Sequence, residues 1–260
     1  MTNATPAISL DGLSFGYGPA APDALRDVSL EIPARAVTAI LGPNGSGKTT
    51  LLHLLLGLLT PQSGRVMLGD RLHGEYTRRE LSRLLGLVPQ SEHVPFDLSV
   101  IEYVLLGRAP YLGLLELSQE HARQIARQAL EAAGVAVLGE RAVPSLSGGE
   151  RQLATVARAL AQEPRILLLD EPTSHLDLKN TRRVLRVLRT LCDAGRTVVF
   201  TTHDPNAAAS LADHVVLLRE GRVLAAGPTE RVFNSQSLSE TYDVEVEVVR
   251  LNGRLWVLVH

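Results

Sequence analysis

The segment GPNGSGKT, at Gly42–Thr49, has the residue types and the spacing of a phosphate-binding loop. Glycines at positions 45 and 47 let the backbone curl, so that successive N–H groups point inward at phosphate oxygens. Lys48 can reach the β- and γ-phosphates, and the hydroxyl of Thr49 can bind Mg²⁺. An apolar strand precedes the loop and a helix follows it. This context favours a nucleoside triphosphate site over a glycine-rich turn with a solvated lysine.

Two acidic residues, Asp170 and Glu171, follow the apolar run ILLL. A carboxylate at the end of a buried strand is costly without a partner, and Mg²⁺ is a natural partner for Asp170. Glu171 can face the γ-phosphate, where a general base orients and deprotonates water; its alternative roles are capping and salt bridging. His203 ends the run TVVFTTH. Because ligands gather at the carboxyl ends of parallel strands, we expect His203 to contact the γ-phosphate, although a structural histidine is the alternative.

The elements that must position these residues follow an α/β pattern. ISLDGLSF, VSLEIP and GRVMLG alternate like half-buried strands, whereas VTAIL at Val37–Leu41 is continuously apolar, and KTTLLHLLLGLL reads as a helix. From about Arg78 to Gln162 the chain is mainly helical, and strands alternate with helices from Ile166 onward. We predict an α/β fold. It comprises a P-loop NTPase core, with a mostly parallel sheet flanked by helices, an antiparallel β subdomain and an inserted α-helical subdomain.

The whole chain, 1–260, is predicted to form one domain. Its core spans approximately 1–90 and 163–260, and the helical subdomain spans approximately 91–162. Alternation around Asn252-Gly253 predicts a C-terminal hairpin, with Trp256 on its buried face. The single cysteine, Cys192, excludes an internal disulfide and a cysteine metal cluster, and is interpreted as a small residue on an apolar helix face.

Net charge and the length of the apolar segments argue against some classes of function. A net charge of -2 argues against non-specific binding to nucleic acid or to a membrane surface. MTNATPAISL lacks the pattern of a signal peptide, and LLHLLLGLL is about half the roughly 20 residues that span a bilayer. We therefore expect any membrane association to depend on a partner.

Four segments taken in order, GPNGSGKTT, LSGGERQ, LLLDEPTSHLD and TTHD, resemble the ATP-binding subunit of an ABC transporter. The resemblance covers nearly the whole chain and implies an ATPase. It implies that Gln90 senses Mg²⁺ and the transmembrane partner, that Ser174–Asp177 form the D-loop, that His203 is the switch histidine and that Tyr17 stacks on adenine.

The resemblance assigns the site residue by residue. The implied catalytic residues are Glu171, His203, Gln90 and Lys48, and the implied Mg²⁺ ligands are Thr49, Gln90 and Asp170. The implied ATP contacts within one subunit are Tyr17, Gly42, Pro43, Asn44, Gly45, Ser46, Gly47, Lys48, Thr49 and Thr50. Those made across a dimer are Ser147, Gly148, Gly149, Glu150 and Asp177.

The resemblance, through the signature segment LSGGE, implies a homodimer or a pseudo-symmetric pair with two ATP molecules at its interface. Ser147, Gly148 and Gly149 are expected to offer a helix N-terminus to a γ-phosphate held by the other subunit, where larger side chains would hold the backbone away. Position 150 is Glu where the family most often has Gln. Backbone N–H groups make the phosphate contact, so Glu150 should be tolerated, with its effect on local electrostatics left open.

The segment DLSVIEYVLLGRAPYLG resembles the corresponding region of ATPases that power import of iron-siderophore, haem or cobalamin. Also similar are GR-x-P at Gly107–Pro110, SHLDL at Ser174–Leu178 and the segment Tyr242–Val248. The implied partners are two permease subunits and, indirectly, an extracytoplasmic binding protein, with no nucleic acid. The implied location is the cytoplasmic side of the cell membrane.

The same segment carries apolar and aromatic residues that suit docking of a partner helix, although core packing is the alternative for each: Phe96, Tyr103, Tyr111 and Leu112.

Other functions share parts of this pattern. A DNA-associated ATPase would need a long coiled coil, for which the chain has little room. A ribosome-associated ATPase normally holds two cassettes, and a small-molecule kinase would leave LSGGE unexplained. An exporter subunit remains an alternative, and the transported substrate is not given by the sequence.

Overall fold

The computed structural model describes residues 5–18, 22–92, 94, 97–111 and 119–259. Its strands are β1 Ile8–Phe15, β2 Leu25–Ile32, β3 Val37–Leu41, β4 Ser63–Leu68, β5 Arg71–Leu72, β6 Leu85–Val88, β7 Ile166–Leu169, β8 Thr197–Thr202, β9 His214–Arg219, β10 Arg222–Pro228, β11 Val246–Leu251 and β12 Arg254–Val259. Its α-helices are α1 Lys48–Leu55, α2 Arg78–Leu84, α3 Val100–Leu105, α4 Gln119–Ala132, α5 Gly148–Ala161, α6 Leu178–Asp193, α7 Pro205–Leu211, α8 Thr229–Val232 and α9 Ser235–Tyr242.

A six-stranded sheet of order β10-β9-β3-β8-β7-β6 forms the centre of the fold. All neighbours are parallel except β10, which pairs antiparallel with β9 at the edge. Leu41 lies opposite Thr202, and Leu169 lies opposite Phe200. The carboxyl ends of β3, β7 and β8 therefore lie side by side, as the sequence predicted. The short edge strand β6 lies inside the stretch expected to be mainly helical.

A second sheet, of order β2-β1-β4-β5, is antiparallel and packs against the first through an apolar layer. Apolar residues of α1, including Leu51, Leu52 and Leu55, are buried in this layer. The predicted α/β class, with a mostly parallel core sheet and an antiparallel β part, is confirmed. Helix α1 ends at Leu55, earlier than the apolar run suggests, because Gly57 takes a φ of 70° that an α-helix excludes.

Helices α3, α4 and α5 pack on one another and share an apolar core with the other side of the parallel sheet. They occupy the part of the chain for which a helical insertion is predicted; the proposed boundaries of that subdomain stay a prediction. Cys192 is 3% exposed on α6, which confirms its packing role. Among the described residues, no helix has the length and apolarity needed to cross a membrane.

Strands β11 and β12 form the predicted C-terminal hairpin. Asn252 and Gly253 both have positive φ, at 51° and 77°, as a two-residue type I′ turn requires. The prediction for Trp256 is wrong, because its side chain is 45% exposed whereas Val257 is 7% exposed. Asn206 of α7 bonds both the N–H and the C=O of Val257, and this register turns Val257 inward and Trp256 outward.

Candidate active site

The loop between β3 and α1 has the backbone geometry of a phosphate cradle. Gly45 and Gly47 have φ values of 79° and 105°, which residues with a side chain rarely adopt. A Cβ atom on Gly42 would lie 2.0 Å from the carbonyl oxygen of Leu218. Glycine is therefore required at position 42 for close packing and at positions 45 and 47 for conformation. Helix α1 begins immediately afterwards, with its N-terminus directed at the loop.

The side chain of Lys48 is 5% exposed and turns back over this loop. Its Nζ donates hydrogen bonds to the carbonyl oxygens of Gly42 and Pro43, at 2.8 and 3.0 Å, and lies 3.7 Å from Oε1 of Glu171. Burial lowers the pKa of the Lys48 ammonium, and the carboxylates of Glu171 and Asp170 oppose that shift. The arrangement holds a positive charge where phosphate oxygens would arrive.

Asp170 follows β7 and is held by two hydroxyl groups. Thr49 donates to its Oδ2 at 2.8 Å and Thr201 donates to its Oδ1 at 2.6 Å. The hydroxyl of Thr201 also accepts the backbone N–H of Glu171 at 2.8 Å. Sequence reasoning missed Thr201, although a hydroxyl side chain near the end of the apolar strand TVVFTT was a usable signal.

The donor set around Asp170 fits Mg²⁺. Oγ1 of Thr49 and Oδ2 of Asp170 are oxygen ligands on adjacent elements, 2.8 Å apart. Within the described part of the chain, no group of three or more His, Cys, Asp or Glu side chains could hold a metal ion. Mg²⁺ is commonly bound by one or two protein oxygens together with phosphates and water, so the residues present suffice for that mode.

Glu171 and His203 face each other across the ends of β7 and β8. Nδ1 of His203 lies 3.0 Å from Oε2 of Glu171, whose side chain is 11% exposed. Glu171 has a φ of 44°, a left-handed conformation that is uncommon outside glycine and is found at functional sites. Tyr242 donates to the carbonyl oxygen of His203 at 3.2 Å. The contact with His203 holds Glu171, and the hydrogen bond from Tyr242 holds the backbone of His203. The side chain of His203 remains 53% exposed and lines the cleft.

Tyr17 presents its ring to solvent beside the cradle. Its side chain is 63% exposed, its hydroxyl shares a hydrogen bond of 3.0 Å with Thr50, and its ring packs edge-on against Phe15. A supported but uncovered ring is suited to stacking on a planar base. Ser46, another of the predicted ATP contacts, is buried instead of exposed, and its hydroxyl has no hydrogen-bond partner among the described residues.

One cleft of about 880 Å³ brings most of the predicted residues together. Its described lining includes Tyr17, Asn44, Gly45, Gly47, Lys48, Thr49, Thr50, Gln90, Glu171 and His203. Of the signature residues Ser147–Glu150, none is among the described residues that line it. Within one copy, the signature segment therefore does not contribute to the described lining of this cleft.

Ser147 begins helix α5 as its N-cap, in a reciprocal arrangement with Glu150. The backbone N–H and the hydroxyl of Ser147 donate to Oε2 of Glu150 at 2.9 and 2.8 Å, and the N–H of Glu150 donates back at 3.4 Å. These contacts form a capping box, in which Glu and Gln serve equally. Arg141 lies 3.5 Å from Oε1 of Glu150, so the added charge has a cationic neighbour.

The two signature glycines have different surroundings. A Cβ atom on Gly149 would lie 2.3 Å from Cγ of Asn180, whereas one on Gly148 would have no heavy atom closer than 3.9 Å. Gly149 is therefore required for packing against α6. The expected approach of both glycines to a phosphate stays a prediction. Asp177 is the N-cap of α6 and accepts the N–H of Asn180 at 2.7 Å.

Tyr103 is 1% exposed, so the expectation of an exposed docking residue is wrong for it. Its hydroxyl donates to Glu92 at 2.5 Å and lies 3.1 Å from the hydroxyl oxygen of Thr155, and Arg158 lies 3.1 Å from Glu92. Burial raises the pKa of Tyr103 to about 12. These contacts tie the segment after Gln90 to α3 and α5. Phe96 and Leu112, which were expected at the same surface, lie outside the described residues.

The Gly107–Pro110 segment has a packing role. A Cβ atom on Gly107 would lie 2.1 Å from the carbonyl oxygen of Arg158. Arg108 is 3% exposed; its guanidinium donates to the carbonyl of Ala161 and to Glu163, at 2.6 and 2.7 Å, and stacks over the half-buried ring of Tyr111. Next to it, a groove of about 610 Å³ includes the apolar residues Leu56, Leu58, Leu81, Leu85, Leu87, Leu106 and Ala109.

Comparison with protein families matches residues 25–174 to the ABC transporter family. The chain is 39% identical to the hemin import ATP-binding protein HmuV of Thermobifida fusca, over 96% of this chain and 86% of that protein. It is 43% identical to the cobalt import ATP-binding protein CbiO of Rhodobacter capsulatus, over 90% and 82%. It is 35% identical to the ferric enterobactin transport ATP-binding protein FepC of Escherichia coli, over 96% and 92%.

Solved structures give the same result. An ABC transporter described as metal-chelate type, in an inward-facing conformation, superposes with a TM-score of 0.84 at 34% identity, covering 97% of this chain and 96% of that one. The dimeric bacterial ABC transporter cassette MJ0796 gives a TM-score of 0.75 at 32% identity, covering 85% and 98%. Fold and sequence therefore agree that the chain is similar to ABC transporter cassettes, and the relatives named above are import subunits.

Proposed function

Since the chain belongs to the ABC transporter family of ATP-hydrolysing subunits, we propose that it powers an importer of the iron-siderophore, haem or cobalamin type. The observation that carries the proposal is the meeting of Lys48, Asp170, Glu171 and His203 at the ends of three adjacent parallel strands. Such a set can bind a triphosphate and direct water at its terminal phosphorus.

The proposed mechanism assigns each group a separate step. Lys48 exchanges its two carbonyl acceptors for β- and γ-phosphate oxygens, while N–H groups of the loop and of α1 donate to the same phosphates. Glu171, as general base, orients a water molecule and takes up its proton. His203 holds the Glu171 carboxylate and contacts the γ-phosphate. When bound by Thr49, Asp170 and Gln90, Mg²⁺ would supply neutralisation of phosphate charge.

Closure of the site is proposed to need a second copy of the chain. Tyr17 stacks on adenine at one end of the ATP molecule, while the signature segment of the partner, Ser147–Glu150, and its Asp177 cover the other end. Two observations support this proposal. No signature residue of the same chain is among the described residues that line the cleft, and a similar cassette has been solved as a dimer. An ATP-dependent dimer would open when hydrolysis removes the γ-phosphate that both copies bind.

The proposed cargo is a metal chelate. The similar proteins include hemin, ferric enterobactin and cobalt import subunits, and a transporter described as metal-chelate type. Cobalamin is not named among these, and it stays in the proposal through the sequence resemblance alone. Specificity would lie in the permease and in an extracytoplasmic binding protein, because no site for a chelate is needed on a subunit that supplies energy.

We propose that the motion of the dimer is passed to the permease through the groove beside Gly107. Its exposed leucines, Leu58 and Leu106, are 63% and 53% exposed and would cover the apolar face of a permease helix. Through Glu92 and Tyr103 the groove is connected with Gln90 at the nucleotide cleft. We propose that the protein is held in this way on the cytoplasmic face of the membrane.

The proposed role of the groove in docking to the permease can be tested separately from ATP hydrolysis. The substitution Leu106→Glu should abolish copurification with the permease subunits and leave basal ATP hydrolysis within about twofold, because a charge would have to be buried against an apolar helix. Val137→Glu, at a 92% exposed position outside the groove, serves as the matched control. Copurification of the Leu106 variant at the control level would contradict the proposed docking.

A further inference from the structure

The parallel pair of strands β3 and β8 comes apart at the nucleotide cleft. Leu41 and Thr202 form its last pair. Gly42 and His203 are the next residues along the two strands, and they lie beyond the regular ladder. Backbone groups at such a point need other hydrogen-bond partners, because an unpaired polar group is costly away from water. The group that holds the backbone of His203 here therefore decides where its side chain enters the cleft.

The hydroxyl group of Tyr242 lies between these two backbones. It donates to the carbonyl oxygen of His203 at 3.2 Å, and the backbone N–H of Gly42 donates to its oxygen. Burial raises the pKa of Tyr242, and the carboxylates of Asp204 and Glu171 raise it further. The bond from Gly42 opposes this shift without reversing it. The hydroxyl therefore keeps its proton at neutral pH and remains a donor, which links the start of the phosphate loop to His203.

Tyr242 is itself held in place at the end of α9. Its ring packs against the apolar core, and the residue before it, Thr241, is 0% exposed. One turn earlier, the hydroxyl of Ser239 accepts the backbone N–H of Val246 at 3.1 Å and so ties α9 to the hairpin. The segment Tyr242–Val248, which is similar in sequence to import ATPases, thus has two uses. Its first residue reaches the cleft, and the rest attaches to α9.

The imidazole of His203 depends on this placement of its backbone. Nδ1 lies 3.0 Å from Oε2 of Glu171, while the side chain is 53% exposed. A side chain that is half exposed is not held by packing, so the position of its backbone decides how closely the ring approaches Glu171. Loss of the Tyr242 hydroxyl would release that backbone and let the ring leave the contact.

We propose that Tyr242 is a positioning residue for ATP hydrolysis, whose hydroxyl fixes His203 relative to the phosphate loop. This inference rests on the proposed function and adds to it the group that keeps His203 beside Glu171 before nucleotide arrives. Tyr242 acts through His203 and not on the nucleotide. Its loss should therefore lower turnover and leave the affinity for ATP unchanged.

The substitution Tyr242→Phe tests this role, because it removes the hydroxyl and keeps the ring. Its kcat should fall about tenfold, since a displaced catalytic group costs rate, whereas KM for ATP should stay within about twofold. Tyr76→Phe is the matched control. The hydroxyl of Tyr76 also donates to a backbone carbonyl, that of Leu68 at 3.0 Å, and Tyr76 is not among the described residues that line the nucleotide cleft. Loss of one hydrogen bond should lower the melting temperature of both variants by about 2–4 °C, but only Tyr242→Phe should lose kcat.

A second readout does not depend on turnover. In protein with isotope-labelled histidine, the ring resonance of His203 is assigned by its absence from His203→Ala. It should move or broaden in Tyr242→Phe and stay in place in Tyr76→Phe. An unmoved His203 resonance, a kcat equal to that of the control, or a Tyr242→Phe protein that does not fold would overturn the positioning role and leave the proposed function intact. Wild-type protein that neither binds nor hydrolyses ATP would instead refute the proposed function.

Discussion

At the scale of single residues, the adjacent glycines of the signature segment have separable roles. Gly149 packs against Asn180, where an added Cβ atom would lie 2.3 Å from Cγ of that residue, whereas Gly148 has open space beside it. Gly149→Ala should therefore lower the free energy of unfolding by about 1–3 kcal/mol, because α6 or Asn180 must move. Gly148→Ala, the matched control, should unfold within about 1 kcal/mol of the wild type in a urea titration.

The effect of Gly148→Ala on ATP turnover should differ from its effect on stability. If the backbone at Gly148 approaches a phosphate held by the second copy, the methyl group of Gly148→Ala should reduce ATP turnover at least about tenfold while stability is kept. A Gly148→Ala protein with wild-type turnover would mean that the segment is a packing motif only.

Residue types alone predicted the catalytic candidates but not the groups that hold them. Lys48, Asp170 and His203 were recognisable because a charged or titratable side chain beside an apolar strand needs a partner. Asn180 was not, since its role depends on Gly149, a distant neighbour in the chain. Thr201 had a signal in its position near the end of an apolar strand, but its bond to Asp170 could be seen only in the structure. Trp256 was placed on the wrong face because period two gives two alternatives, and only the contact of Val257 with Asn206 selects one.

At the scale of elements, the segment of 3₁₀ helix at Leu106–Tyr111 is locked onto α5 by backbone proximity. A Cβ atom on Gly107 would lie 2.1 Å from the carbonyl oxygen of Arg158, whereas Gly74 has open space. Gly107→Ala should lower the free energy of unfolding by about 1–3 kcal/mol, and Gly74→Ala should change it by less than about 1 kcal/mol. Equal denaturation midpoints for the two variants would contradict the packing role of Gly107.

The start of α2 should contribute to pH-dependent stability. Hydrogen bonds from Thr77 and the nearby Arg71 guanidinium lower the pKa of Glu80 to about 2, from an ordinary value of 4.5. Because the folded pKa lies below the unfolded one, this stabilisation is present above pH 4.5 and is lost as the pH falls toward 2. Between about pH 6 and about pH 3, the melting temperature of Glu80→Gln should therefore fall by less than that of the wild type.

The control for this experiment is Glu131→Gln, at an exposed position on α4. It should retain the wild-type loss of melting temperature. If Glu80→Gln also retained the full loss, the capping interaction would not be a source of acid sensitivity.

The types of the helices and strands and their order could be predicted from hydrophobic periodicity, whereas the residues at which several of them end could not. The parallel strands were recognisable as continuous apolar runs, and Asn252-Gly253 located the hairpin turn. The run KTTLLHLLLGLL suggested a longer helix than α1, because apolar residues continue beyond Gly57 in a non-helical conformation. Strand β6 was missed because four residues between helices carry too short a pattern to distinguish.

At the scale of the whole molecule, we propose that each copy contains one half of an ATP site. The cleft contains the side chains proposed to bind phosphate, activate water and stack on the base, but its described lining contains no signature residue. Under this proposal the site is complete only when two copies meet, and bound nucleotide would control the distance between the two grooves that contact the permease. The central claim is that Glu171 is the group that activates water in such a dimer.

The most direct test is ATP hydrolysis and dimerisation of Glu171→Gln, measured together by phosphate release and by size-exclusion chromatography with ATP and Mg²⁺. The amide keeps the size of the side chain and removes the base, so turnover should fall by roughly 10²-fold or more. ATP binding should be retained and a stable dimer should accumulate. Turnover within a few-fold of the wild type, with ATP bound normally, would contradict the assignment of Glu171 as the general base.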